Sequence, residues 1–157
     1  MSRSQTLQAL VALIREQRWA ALATTDDDGH PAASMVAYAV TPELDGLLLH
    51  LSRLAAHTRY LLERPKASLV LGEPDCDGRA DPQTLGRVSI GGTVHPLAPE
   101  SDAFNAAREH YLARLPEAAP RFEFSDFILL RFEIETLRYV GGFAAAHSFE
   151  GEALRGF

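Results

Sequence analysis

The spacing of strand-like segments is the feature that most constrains this chain. Six segments are either continuously apolar or alternate apolar and polar residues, as β-strands do: Trp19 to Thr25, Ala32 to Val40, Gly46 to Leu51, Lys66 to Leu71, Arg87 to His95 and Phe127 to Val140. Helical patterns precede the first and interrupt the series twice, without the regular alternation of a parallel sheet. The 157 residues therefore predict one domain, 1–157, that is mainly β with flanking helices and forms an antiparallel six-stranded barrel.

Local patterns predict further details of these elements. Leu7, Leu10 and Ile14 recur at helical spacing, so the chain opens on an amphipathic helix with Ser4 as its cap. The Gly91-Gly92 pair interrupts an otherwise alternating strand. Such a pair indicates a β-bulge or the close approach of another backbone.

The passage from strand to helix after Leu51 is the most informative local pattern. The buried strand GLLLHL is followed by SRLAAHTRYLLERP, from Ser52 to Pro65, in which apolar residues return at helical spacing. The first N–H groups of a helix lack intrahelical partners and favour an anion. Hydroxyl and cationic side chains surround this end, which predicts a phosphate site: Ser52, Arg53, His57, Thr58 and Arg59. An ordinary amphipathic helix, with Ser52 as N-cap and exposed arginines, is the alternative.

Composition excludes several classes of partner. The net charge of −6 argues against nucleic acid and anionic membranes, which both reward a basic face. The single cysteine, Cys76, excludes a disulfide framework and predicts a reducing, cytoplasmic compartment. No segment has the length and apolarity of a signal peptide or a membrane span.

Motifs for protein-only catalysis are absent from the sequence. It contains no nucleophile elbow, no P-loop and no G-x-G-x-x-G after a strand. Asp75, Asp77 and Asp81 lack the spacing of a calcium loop, and His30 and His110 are interpreted as surface residues. Any catalysis therefore depends on a bound cofactor.

Two longer words give the chain a family resemblance. S-R-L-A-A-H-T-R at Ser52 to Arg59 and R-Y-V-G-G-F-A-A-A-H at Arg138 to His147 occur in an order of elements that resembles the FMN-binding split barrels related to pyridoxamine 5′-phosphate oxidase. Both words are similar to the haem-utilisation branch of that family. The resemblance implies a split β-barrel fold.

The resemblance also implies a set of cofactor contacts. The second strand would contact the flavin through Ser34, Met35 and Val36. The phosphate site would be formed by a set of residues around the strand-to-helix passage: His50, Ser52, His57, Thr58 and Arg59. Arg87 would reach the flavin of the other subunit. Ser34 and His57 stand where the oxidase itself has arginine and lysine, which puts pyridoxamine phosphate oxidation in doubt.

Three functional hypotheses follow from this resemblance. The first is a homodimeric FMN-dependent oxidoreductase with cofactor sites at the subunit interface and a small-molecule substrate that the sequence does not name. The second is a haem-binding or haem-degrading protein on the same barrel, with His147 as iron ligand. The third is a flavin-binding module without turnover.

Overall fold

The computed structural model describes residues 1–76, 78, 81–142 and 146–157. Eight strands lie in these ranges: β1 (Trp19–Thr25), β2 (Pro31–Ala37), β3 (Ala39–Val40), β4 (Gly46–Ser52), β5 (Lys66–Gly72), β6 (Arg87–Pro96), β7 (Phe127–Val140) and β8 (Ala146–Glu150). Three α-helices accompany them: α1 (Arg3–Glu16), α2 (Ala56–Glu63) and α3 (Asp102–Arg114). A 3₁₀ segment, Pro116–Glu123, follows α3. None of the described helices is long and apolar enough to span a membrane.

The strands form one curled antiparallel sheet. Its order is β2-β1-β5-β6-β7-β4-β3, and β8 pairs with β7. The two strands at the ends of this order, β2 and β3, are consecutive in the chain and are joined by Tyr38. The sheet therefore curls back on itself, which confirms the predicted antiparallel split barrel with flanking helices.

The described part of the chain has eight strands where the sequence predicted six. The predicted strand Ala32 to Val40 is divided at Tyr38, whose N–H donates to Arg18 O and whose hydroxyl donates to Ile14 O. These bonds turn the chain from one edge of the sheet to the other. The remaining strand, β8, was not predicted.

Two apolar clusters cover the two faces of the sheet. The main core lies inside the curled sheet, where alternate strand residues meet the buried face of α1. A smaller cluster on the outer face lies under α3 and the 3₁₀ segment, and it includes Leu48, Tyr111 and Leu129. α1 begins at Arg3 with Ser2 as its cap, in a capping box with Gln5, and the predicted cap Ser4 lies inside the helix.

The Gly91-Gly92 pair marks a bulge between β6 and β7, as predicted. Gly91 pairs with Thr136 but Gly92 pairs with Ile134, so Glu135 has no opposite residue. A Cβ atom on Gly92 would overlap the carbonyl oxygen of Glu133 and would lie 2.8 Å from Cε1 of Phe132. The bulge therefore needs a residue without a side chain at position 92.

We expect Gly92→Ala to destabilise the fold by about 2–4 kcal/mol, because the new methyl group must displace a strand backbone and a core ring. Gly91→Ala is the matched control, since a Cβ there meets only the hydroxyl of Thr136, at 2.7 Å. A rotation of that side chain removes the overlap. Urea unfolding of both variants measures the difference, and equal stability would contradict the close approach at Gly92.

Candidate functional site

The turn between β4 and α2 is the centre of the candidate site. β4 ends at Ser52 and α2 begins at Ala56, with Ala55 as the N-cap residue. Ala55 forms no side-chain hydrogen bond to the helix. The alternative prediction, in which Ser52 is the N-cap, is therefore wrong, because Ser52 lies before the N-cap position. The N–H of Thr58 donates to Ala55 O, so the N–H groups of Ala56 and His57 are left for solvent or for a ligand, at the positive end of the helix dipole.

Ser52 is held by a residue far away in the sequence. Its hydroxyl donates to Asp126 Oδ2, and its Oγ accepts from the N–H of Leu54 at 3.1 Å. The N–H of Arg53 donates to the carbonyl oxygen of Asp126 at 2.7 Å. Sequence reasoning missed Asp126 because it precedes β7, 74 positions from Ser52, and no local pattern joins the two.

Thr58 is the third residue of α2 and is fully buried. Its Oγ1 has no hydrogen-bond partner among the described residues. Leaving a buried hydroxyl without a partner costs roughly 1–3 kcal/mol. A ligand with acceptor oxygens at the start of α2 would remove this cost.

The cationic residues of the predicted site differ in their surroundings. His57 is half-buried, and burial lowers its pKa, so the ring is neutral at neutral pH. Arg59 is exposed and lies 3.5 Å from Asp27, in the β1–β2 hairpin. Arg64, at the other end of α2, lies 3.4 Å from the same carboxylate. Asp27 therefore links the hairpin to the middle and to the C-terminal end of the helix.

β2 places the predicted flavin contacts at an edge of the sheet. Ser34 and Val36 share one face, while Met35 points to the other and is 49% exposed. In the described part of the chain β2 pairs only with β1, so its second backbone edge is available for hydrogen bonds. α2 packs against both strands. The candidate contacts thus lie beside the helix that carries Thr58.

His50 is enclosed by an aromatic cluster under the 3₁₀ segment. Its ring stacks on Phe122 with centroids 3.7 Å apart, and Phe127 and Tyr111 lie within 6 Å. Burial, with smaller contributions from Arg121 and Arg108, lowers the pKa of His50 to about 4. Its Nδ1 has no partner among the described residues. The predicted phosphate contact is therefore a buried, neutral ring in this structure.

Arg87 and His147 flank the other end of β7, on its two opposite edges. Arg87 is exposed, donates to the carbonyl oxygens of Gln83 and Leu85, and stands opposite Val140. His147 is half-buried on β8, opposite Tyr139. Residues 143–145 of the second sequence word, and Asp77 of the acidic loop, lie outside the described residues.

A carboxylate cluster in the β1–β2 hairpin was not predicted. Ligand atoms of Asp26, Asp28 and His30 lie within 4.8 Å of one another. Asp26 Oδ1 accepts from the N–H groups of both other residues, which explains the arrangement as turn geometry. The cluster therefore gives no sign of a metal site.

The family model described as pyridoxamine 5′-phosphate oxidase matches residues 6–141. Haem oxygenase HOZ of Arabidopsis thaliana, a chloroplast protein, is 36% identical over 126 residues, which cover 80% of this chain and 36% of that protein. The chain thus spans about a third of this curated relative.

Solved structures share the fold. A haem-binding protein from Mycobacterium smegmatis has a TM-score of 0.82 and 29% identity, over 98% of this chain and 60% of that one. An FAD-binding protein from Mesorhizobium loti has a TM-score of 0.68 and 18% identity, over 91% and 93% of the two chains. At that identity the second likeness concerns the fold alone.

We expect His50→Leu to remove part of the pH dependence of stability. The folded protein keeps the ring neutral to about pH 4, while the unfolded chain protonates it near its ordinary value of 6.5. The contribution of the neutral His50 to the free energy of unfolding is thus complete above about pH 6.5 and is lost as the pH falls towards 4. Urea unfolding across this range should give a steeper decline for wild type than for His50→Leu. An unchanged slope in His50→Leu would contradict the buried neutral imidazole.

Proposed function

We propose that this chain, which belongs to the pyridoxamine 5′-phosphate oxidase family, is a flavoprotein that binds FMN at the start of α2. The first turn of that helix carries the proposal. Ala55 provides no cap, and the buried hydroxyl of Thr58 has no partner among the described residues. A phosphate offers acceptor oxygens to both kinds of donor. One such turn suits one terminal phosphate, which favours FMN over FAD.

Each residue of the turn has a separate task in this proposal. The N–H groups of Ala56 and His57 and the hydroxyl of Thr58 donate to the phosphate. Arg59 adds positive charge at the rim, where it shares Asp27 with Arg64. The neutral His57 ring acts as a donor, and a bound dianion would raise its pKa again.

The exposed edge of β2 would orient the flavin ring. Of the three predicted contacts, Met35 has its backbone groups on that edge, beside α2, because the alternating antiparallel ladder pairs the backbone groups of Ser34 and Val36 with β1. When bound, FMN supplies hydride or single-electron transfer. We therefore propose an oxidoreductase of a small-molecule substrate. The exposed Cys76 fits a reducing, cytoplasmic compartment.

An apolar surface supports a homodimer, which is typical of barrels in this family. Trp19, Met35 and Val70 are large exposed hydrophobic side chains. Ala21 stands opposite Met35 on one side and opposite Val70 on the other, so the last two lie on one outward face of β2, β1 and β5. A flat apolar face of this kind suits a second copy of the chain.

The register of β7 supports sites shared between subunits. Ser52 stands opposite Phe127 and Arg87 opposite Val140. The 14 residues of β7 separate them by roughly 45 Å of extended strand. One flavin does not reach both ends within one chain, so Arg87 would serve the site of the partner.

Haem binding is the second candidate. Both the Arabidopsis and the Mycobacterium relatives are named for haem. His147 presents a half-buried imidazole on β8, its ring centroid 6.4 Å from that of Phe149. Imidazole is a usual axial ligand of haem iron.

We expect the purified protein to release FMN, identified by its absorbance spectrum and by mass spectrometry. Stoichiometric FAD would contradict the single-phosphate site. A haem spectrum that is lost in His147→Ala would instead establish the second candidate.

We expect Arg59→Ala and Thr58→Val to weaken FMN binding by about tenfold each, since each removes one donor to a charged group. Riboflavin, which lacks the phosphate, should bind all variants alike. Arg64→Ala is the matched control, because Arg64 shares Asp27 with Arg59 but lies at the other end of α2. Equal losses for FMN and riboflavin would contradict a phosphate role.

We expect Arg87→Ala and His57→Ala homodimers to bind FMN weakly at both sites. Mixing the two variants should restore one intact site per heterodimer if each site takes His57 from one subunit and Arg87 from the other. Titration of the mixture against each variant measures the recovery. A monomer by light scattering, or no recovery on mixing, would contradict the shared site.

A further inference from the structure

Two hydrogen bonds fix the turn before α2 to Asp126, the residue that precedes β7, and a third lies within the turn. The carboxylate of Asp126 accepts a hydrogen bond from the Ser52 hydroxyl, and its backbone carbonyl oxygen accepts one from the N–H of Arg53. Ser52 Oγ then accepts from the N–H of Leu54. Three consecutive residues of the turn are thus held directly or indirectly by Asp126.

The Ser52 hydroxyl has one hydrogen, and it is committed to Asp126. Because Ser52 Oγ also accepts from Leu54, both contacts of the oxygen serve the turn. Ser52 can donate to a phosphate only by giving up the carboxylate. The side chain that sequence reasoning assigned to the phosphate is therefore occupied in shaping the turn that presents α2.

We propose that Asp126 is a positioning residue of the anion site, and that Ser52 acts with it in holding the turn instead of donating to the phosphate. This inference rests on the proposed FMN function. A turn held before the ligand arrives loses less conformational freedom on binding. The N–H groups of Ala56 and His57 and the Thr58 hydroxyl are then presented together.

Electrostatic repulsion predicts the opposite result, which is tighter FMN binding when Asp126 is removed. A carboxylate close to a bound phosphate repels it, and Asp126 also withholds a hydroxyl that could donate. If repulsion and competition dominated, removing Asp126 would tighten FMN binding. If positioning dominates, removal weakens it, so the sign of the change separates the two roles.

The experiment measures FMN and riboflavin affinity in Asp126→Ala, Ser52→Ala and the double variant. We expect both single variants to weaken FMN binding by a similar factor, about tenfold. The double variant should be no weaker than either, because the two side chains act as one unit. Riboflavin affinity should stay constant. Asp126→Asn should retain most of the affinity, because its amide oxygen still accepts from Ser52.

Asp45→Ala is the matched control. Asp45 accepts from the hydroxyl of Thr41 at 2.8 Å, at the opposite end of β4 from Ser52. Its removal deletes a similar carboxylate–hydroxyl pair, together with an ion pair to Arg131, away from α2. It should leave the ratio of FMN to riboflavin affinity unchanged.

Hydrogen exchange at the amides of Arg53 and Leu54 tests the positioning role without a cofactor. We expect Asp126→Ala to lose protection at Leu54, because its acceptor, Ser52 Oγ, is no longer held by a carboxylate. Arg53 should lose less, because its acceptor is the backbone carbonyl oxygen of residue 126, which the variant keeps. Unchanged or tighter FMN binding in Asp126→Ala, or a double variant much weaker than either single one, would overturn the inference. A wild-type protein that binds no FMN would overturn the proposed function, and the exchange measurement would then still decide whether Asp126 holds the turn.

Discussion

β7 forms backbone hydrogen bonds with β6 along one edge, and with β4 and then β8 along the other. The positions of both candidate sites depend on this double pairing. At its start β7 stands opposite Ser52, at the turn that leads into α2, and near its end it stands opposite Arg87 and His147. The bulge at Gly92 sets the register between these ends, because every pair beyond it is shifted by one residue of β7.

The barrel could be predicted from the sequence because its main strands are defined by local periodicity. β5, β6 and β7 begin at the predicted residues and end within one residue of the predicted bounds. The family match over residues 6–141 and the haem-named relatives confirm the resemblance that the two sequence words indicated. β3 was not predicted as a separate strand, because the bonds of Tyr38 to Arg18 and Ile14 that end β2 join parts of the chain far apart in sequence.

The candidate site was predicted less completely, for the same reason. The position of α2 and its buried Thr58 follow from a local helical pattern. The contact of Ser52 with Asp126, and the enclosure of His50 by Phe122, depend on tertiary pairing. The local pattern assigned Ser52 to a phosphate site, and the family resemblance added His50. In the structure Ser52 bonds to Asp126 and Leu54, and His50 is buried against Phe122.

Tyr38 has a consequence for the integrity of the barrel. It joins the two outermost strands of the sheet covalently, and its hydroxyl anchors this junction to the end of α1. A chain cut at this junction would keep its local hydrogen-bond ladders, but β2 and β3, whose outer edges are unpaired among the described residues, would be free to move apart. Unpaired edges recruit strands from other molecules. A single buried phenol thus helps to keep a curled sheet from becoming a template for aggregation.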